Sequence, residues 1–113
     1  MKWINEPLTF ADVSVNQNGP AVFAAQLFYV SFQVVSPASS TATYKLQASN
    51  DQGDKINGFT PTNWFDIPSA TVTIAGAGTA AIPKTDICYN WIRLVQTGAG
   101  TGSARGNLFG MGA

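Results

Sequence analysis

Hydrophobic and polar residues alternate along much of the chain with the period of two that is typical of half-buried β-strands. In residues 26–35, one face of the predicted strand is entirely apolar: Phe28, Val30, Phe32 and Val34. In residues 41–50, the inward positions are Tyr44, Leu46 and Ala48. Only a short Pro- and Ser-containing segment separates the two runs, so we expect them to form a hairpin.

Shorter apolar runs bounded by Gly and Pro predict further strands: 10–15, 64–67, 71–74, 80–82, 89–97 and 103–109. The run at 64–67 should stop at Pro68, and 80–82 should pair back onto 71–74. The run at 89–97 is apolar on both faces, as expected for a strand covered on both sides.

About seven or eight short strands with regularly spaced turns, and no substantial helix, predict an all-β antiparallel β-sandwich with jelly-roll-like character. The chain of 113 residues has the length of one domain. We therefore expect a single sandwich domain over residues 1–113, with 1–10 as a candidate docking arm and 110–113 as a short tail.

Charge is scarce: six basic and six acidic residues make up 11% of the chain, and the formal net charge is zero. A chain without a basic field is not expected to bind nucleic acid or an anionic membrane. It has no apolar stretch of the roughly 20 residues that a membrane helix needs, and no signal-peptide pattern. These features predict synthesis in the cytoplasm without export by the usual route. An uncharged surface suits a neutral monomer and a protein held against a partner equally well.

The residues that most often do chemistry are missing. The sequence has no histidine and a single cysteine, Cys88, which lies beside an apolar run and is expected to be a buried structural thiol. We therefore predict no enzymatic activity, no metal and no cofactor. Asp51 and Asp54 offer two carboxylates for a calcium ion, but their spacing does not match an EF-hand loop and no third acid is near, so a turn is the better interpretation.

The aromatic residues admit two interpretations. Trp64 with its neighbours Asn63 and Asp66 has the composition of a glycan contact, although aromatics at strand spacing are more often packing residues. Trp91 is expected to share a face with Arg93, so that a ring stacks beside the guanidinium. Trp3 is either an anchor on a neighbouring subunit or folds back onto its own domain.

Several segments together resemble a known group of proteins: 44–51, 64–68, 73–78, 88–98 and 100–103. In this order they are similar to small β-sandwich virion proteins of tailed phages, a group that includes capsid cement, staple and decoration proteins. The similarity extends over about residues 28–109, and the N-terminal 25 residues depart from it.

The resemblance implies a non-enzymatic virion protein that binds and stabilises the capsid. Its partner would be the major capsid protein, with the chain as a homo-oligomer or in many copies on the particle. The residues expected to contact the partner lie near the two termini: Trp3, Ile4, Phe10, Leu108, Phe109 and Met111. The alternative is an adhesion or carbohydrate-binding module on a tail or on the particle surface, with Asn63, Trp64 and Asp66 as the glycan contact.

Overall fold

The computed structural model describes residues 3–10, 16–36, 40–52, 58–100 and 102–112. Nine strands lie in these ranges: β1 (Trp3–Phe10), β2 (Gln17–Asn18), β3 (Val22–Phe23), β4 (Leu27–Ser36), β5 (Ser40–Ser49), β6 (Phe65–Ala75), β7 (Gly78–Asp86), β8 (Trp91–Gly100) and β9 (Ala104–Gly112). No helix occurs in the same ranges, and accordingly none is long and apolar enough to cross a membrane.

Two antiparallel sheets pack face to face. Sheet A has the strand order β1-β9-β4-β7, and sheet B has the order β2-β8-β5-β6, with β3 also paired to β8. When β2 and β3 are taken as one interrupted strand, this is the eight-strand order of a jelly roll. The predicted all-β sandwich is therefore confirmed.

The core lies between the sheets and is built from the inward residues of both. Val30, Phe32 and Val34 of sheet A face Tyr44 and Leu46 of sheet B, and all five are at most 2% exposed. This confirms the period-two prediction for residues 41–50 and for most of 26–35.

One buried polar pair stands in this core. The Tyr44 hydroxyl donates a hydrogen bond of 2.9 Å to Gln96 Oε1, and the two residues lie directly opposite each other on β5 and β8. The Phe10 ring packs on Tyr44 with 5.6 Å between ring centroids, which connects β1 of sheet A to the centre of sheet B.

Phe28 is the exception on its predicted face, because it is 52% exposed. The pairing of β4 with β9 shifts register between Leu27 and Tyr29, so Phe28 is the extra residue of a β-bulge. Leu27 takes the core position that the alternation had given to Phe28.

The predicted hairpin between residues 26–35 and 41–50 is wrong. Strand β4 pairs with β7 and β9 in sheet A, whereas β5 pairs with β6 and β8 in sheet B. Both strands carry one strongly apolar face, and these faces bury each other across the sandwich. The segment between them therefore crosses from one sheet to the other.

The predictions around Pro68 also need correction. The strands expected at 64–67 and 71–74 are the two halves of β6, whose ladder with β5 skips from Asp66 to Thr71. Ser69 within that gap has a positive φ of 62°, and the ladder resumes after this bulge. Strand β7 does not pair back onto β6 but joins β4 in the other sheet.

Both chain ends belong to sheet A. Residues 3–10 of the candidate arm form β1, which pairs with β9 along its whole length, and residues 110–112 of the candidate tail continue β9. Of the strand expected at 10–15, only Phe10, the last residue of β1, is described; residues 11–15 lie outside the described ranges, as do residues 1, 2 and 113.

Every edge strand formed by a long segment contains a proline. Pro7 lies in β1, Pro68 in β6 and Pro83 in β7, whereas the internal strands β4, β5, β8 and β9 have none. Proline removes a backbone donor and is tolerated at sheet edges, where it discourages the addition of a further strand.

Candidate docking surface

The outer face of sheet A brings together side chains that are far apart in the sequence. The register places Trp3 opposite Met111, and Met111 opposite Tyr29, in one row across β1, β9 and β4. Because side chains on one face recur every second residue, the next row contains Phe109 and Ser31.

Four of these side chains form an exposed cluster, which we call the aromatic face. Trp3 is 60% exposed, Tyr29 41%, Phe109 38% and Met111 37%. The rings of Trp3 and Phe109 stack with their centroids 6.4 Å apart, and Phe28 packs edge-on against Tyr29. Such a contiguous apolar group on a surface marks an interaction site more often than scattered apolar residues do.

The six residues predicted from the sequence to contact a partner divide between the two faces of sheet A. Trp3, Phe109 and Met111 come together on the aromatic face. Phe10 and Leu108 are 2% and 1% exposed and belong to the core, against which the half-buried Ile4 packs. Phe10 and Leu108 therefore support the surface from within and are not exposed to a partner, whereas Ile4 is partly exposed.

Tyr29 and Phe28 also lie at this surface, although neither was predicted to contact a partner. The period of two in residues 26–35 places Tyr29 on the face opposite Val30 and Phe32, and it is exposed there. What the alternation alone does not show is that β9 lies beside β4 and adds Phe109 and Met111 to the same face.

Two shallow depressions adjoin on the outer face of sheet A. The first, of about 230 Å³, lies between Tyr29, Phe109 and Met111 with Ser31 at its side. The second, of about 440 Å³, continues from Ser31 and Phe109 toward Gln33 and Asn107. Together they form a trough that is apolar at one end and lined by amides at the other.

Charged side chains lie only at the ends of this trough in the described part of the face. Asp86 is opposite Tyr29 on β7, and Arg105 is opposite Val35 at the far end. Between them, the Asn107 amide donates a hydrogen bond to Asn5 Oδ1, which fixes the orientation of both amides. The surface is thus suited to an uncharged ligand or partner.

The alternative glycan residues lie beside sheet B and are engaged within the chain. The Asn63 amide and backbone N–H donate to the Asp51 carboxylate, which also accepts from the Thr62 N–H. These bonds to the ionised form lower the pKa of Asp51, first through the Asn63 side chain. Asp51 therefore anchors the segment at Thr62 and Asn63 to the end of β5, and Asp54 lies outside the described residues.

Asp66, the third residue of that group, is held in the same way. Its carboxylate accepts hydrogen bonds from the Gln47 amide at 2.9 Å and the Lys45 ammonium at 3.2 Å. The bond from Gln47 and then that from Lys45 lower the pKa of Asp66.

Trp64 is half-buried under Arg93, whose guanidinium carbon lies 4.2 Å from the ring centroid. The Trp64 Nε1–H donates to the Pro61 carbonyl, and Arg93 Nε–H donates to Gln47. Burial lowers the pKa of Arg93. One face of the Trp64 ring is therefore occupied by the chain's own cation.

The prediction that Trp91 stacks beside Arg93 is wrong, because Trp64 takes that place. Trp91 instead packs against Phe23 and Phe59, with centroid distances of 5.0 and 5.9 Å, and is 3% exposed. This burial on the outer side of sheet B confirms that β8 is covered on both faces.

Cys88 is exposed, which contradicts its prediction as a buried thiol. It follows the buried Ile87 and precedes the half-buried Tyr89. The connection between β7 and β8 therefore turns the Cys88 side chain outward, although apolar residues surround it in the sequence.

Comparison of the chain with protein-family models and with curated proteins finds no match.

Proposed function

We propose that this chain is a non-enzymatic structural protein of a tailed-phage virion, which binds the major capsid protein through the aromatic face and thereby stabilises the capsid. The observation that carries the proposal is the exposed cluster of Trp3, Tyr29, Phe109 and Met111 on the outer face of sheet A. The resemblance to small virion proteins supplies the identity of the partner. The protein is made in the host cytoplasm and resides in the virion.

The size of the cluster favours binding in many copies. At about 150–250 Å² for a buried aromatic side chain, the exposed fractions amount to roughly 400 Å² of apolar surface. At about 25 cal/mol per Å² this corresponds to about 10 kcal/mol before any costs. Association itself costs about 4–15 kcal/mol, so one contact of this size binds weakly. A particle that holds many copies over its surface gains stability through multivalency.

The sheet edges support docking through a face. Backbone pairing with a partner strand needs an unblocked edge, and each long edge strand contains a proline: Pro7, Pro68 or Pro83. The outer face of sheet A carries no such obstacle.

The alternative function, adhesion through a glycan bound at Asn63, Trp64 and Asp66, gains no support from the geometry. Asn63 and Asp66 are hydrogen-bonded within the chain, and Arg93 covers one side of Trp64. Binding of a glycan at these residues would therefore count against the proposed capsid-binding function.

The test is co-sedimentation of the purified protein with capsids assembled from the candidate phage's major capsid protein. We expect saturable binding at a fixed ratio per capsid subunit, and a loss of at least tenfold in apparent affinity for Phe109→Ser. Phe65→Ser is the matched control, because Phe65 is an equally exposed aromatic residue on sheet B. A wild-type protein that fails to bind capsids, or that binds a glycan array through Trp64 instead, would refute the proposal.

A further inference from the structure

The trough on sheet A has a shape that one side chain and a short length of chain would fill. The depression of about 230 Å³ between Tyr29, Phe109 and Met111 is smaller than the roughly 300–1,000 Å³ of typical small-molecule sites. It is bounded by large apolar side chains on three sides and by the small Ser31 on the fourth. This arrangement accepts one large apolar side chain as an anchor.

The second depression offers hydrogen-bonding groups of both kinds. Gln33 and Asn107 each carry an amide, which has donors and an acceptor, and Asn107 is held in place through its bond to Asn5. The backbone groups of β4 and β9 pair with neighbouring strands on both sides, so side chains supply the polar contacts of this face. A peptide backbone needs both a donor and an acceptor at each residue, and the amides provide both.

Area and charge decide between a second copy of this chain and a segment of another protein. The roughly 400 Å² of apolar surface is about half of the 800 Å² that each partner buries in a stable complex of standard size. Two copies that met only through these four side chains would therefore bury too little area for a lasting dimer. The described side chains that line the trough between Asp86 and Arg105 are uncharged, so a charge on the occupant would be buried there without a partner from among them, at considerable cost.

We infer that the trough binds an extended, uncharged segment of the capsid protein. One large apolar side chain of that segment inserts between Tyr29, Phe109 and Met111, and the adjoining backbone lies along the amides of Gln33 and Asn107. This inference rests on the proposed function and specifies which part of the partner is recognised.

The first test fills the depression without removing any aromatic contact. Ser31→Trp places a large side chain in the anchor position, and we expect it to weaken capsid binding at least tenfold. Thr71→Trp makes the same kind of change on the exposed face of sheet B and should leave binding unchanged. Thermal unfolding of both variants shows whether each is folded.

The second test identifies the occupant. A photoreactive p-benzoyl-phenylalanine in place of Tyr29, irradiated on saturated capsids, should cross-link to one short segment of the capsid protein that contains a large apolar residue and no charge. A cross-link to a second copy of this chain, to carbohydrate, or to several unrelated capsid segments would overturn the inference.

The two proposals fail in different ways. If the wild-type protein does not bind capsids, both are wrong. If the wild-type protein and Ser31→Trp bind equally well while Phe109→Ser does not, the aromatic face still docks, but the inserted segment is refuted.

Discussion

Replacement of Tyr44 by Phe tests the buried polar pair at the centre of sheet B. The substitution removes only the hydroxyl, so it leaves no cavity, and Gln96 Oε1 loses a donor at 2.9 Å in a site where both residues are 0% exposed. The net value of the lost hydrogen bond is about 0.5–1.5 kcal/mol. For a domain of this size, that loss lowers Tm by about 2–6 °C.

The pH dependence of the free energy of unfolding is a second measurable consequence of the buried Tyr44 hydroxyl. Burial raises the pKa of the Tyr44 hydroxyl above its usual value of about 10, so the folded state keeps a proton that the unfolded state loses. The wild-type free energy of unfolding should therefore fall as pH rises above about 10, with a slope of up to about 1.4 kcal/mol per pH unit from this group. The Tyr44→Phe variant lacks that contribution.

Urea unfolding of Tyr44→Phe, Gln96→Leu and the double variant measures the coupling between the two residues, because the cycle cancels whatever Gln96 does elsewhere. We expect a coupling energy of about 1–2 kcal/mol, with the double variant less destabilised than the two single effects would give together. Tyr89→Phe, at a half-buried tyrosine, is the control and should change stability by less than about 0.5 kcal/mol. Additive effects of Tyr44→Phe and Gln96→Leu would refute the hydrogen bond as a source of stability.

Three further predictions concern the edges and the loop over sheet B. Pro7→Val restores a backbone donor on the edge strand β1, so light scattering should show more self-association than in the wild type; unchanged scattering would contradict a protective role. Arg93→Ala removes the cation over Trp64 and should cost about 0.5–2 kcal/mol while shifting Trp64 emission to the red, whereas an unchanged spectrum would refute the contact. Asp51→Ala should speed hydrogen exchange of the Thr62 and Asn63 amides, and exchange rates that do not respond to the substitution would contradict the role of Asp51 as an anchor. In the wild type the pKa of Asp51 is lowered, so its contribution to stability is present above about pH 4 and is lost as pH falls below that value.

The sequence predicts the strands of this fold better than it predicts their partners. Alternation identifies the inward faces of β4 and β5 because the period of two depends only on the local backbone. Their assignment to one hairpin fails because the choice between side-by-side and face-to-face packing depends on β7, β8 and β9, the first of which begins at Gly78, well beyond the end of β5 at Ser49. The bulge at Phe28 is likewise set by the register with β9.

For the aromatic face, too, the sequence identifies candidate residues better than it identifies their neighbours in the fold. Trp3, Phe109 and Met111 stand out in the sequence as large apolar residues near the termini, and the structure brings them together. Phe10 and Leu108 have the same composition, but their positions within β1 and β9 place them on the buried face. The opposite sheet decides which of the two alternating rows of side chains on a strand faces outward. Composition alone therefore does not separate exposed apolar residues from core residues.

A reconstruction of capsids saturated with the protein tests the central claim most directly, because it shows which side of the sandwich touches the shell. Our account predicts that the outer face of sheet A lies against the capsid protein, with Trp3, Tyr29, Phe109 and Met111 inside the contact. Density that places the outer face of sheet B or a sheet edge against the capsid, or capsids that carry no bound protein, would contradict it.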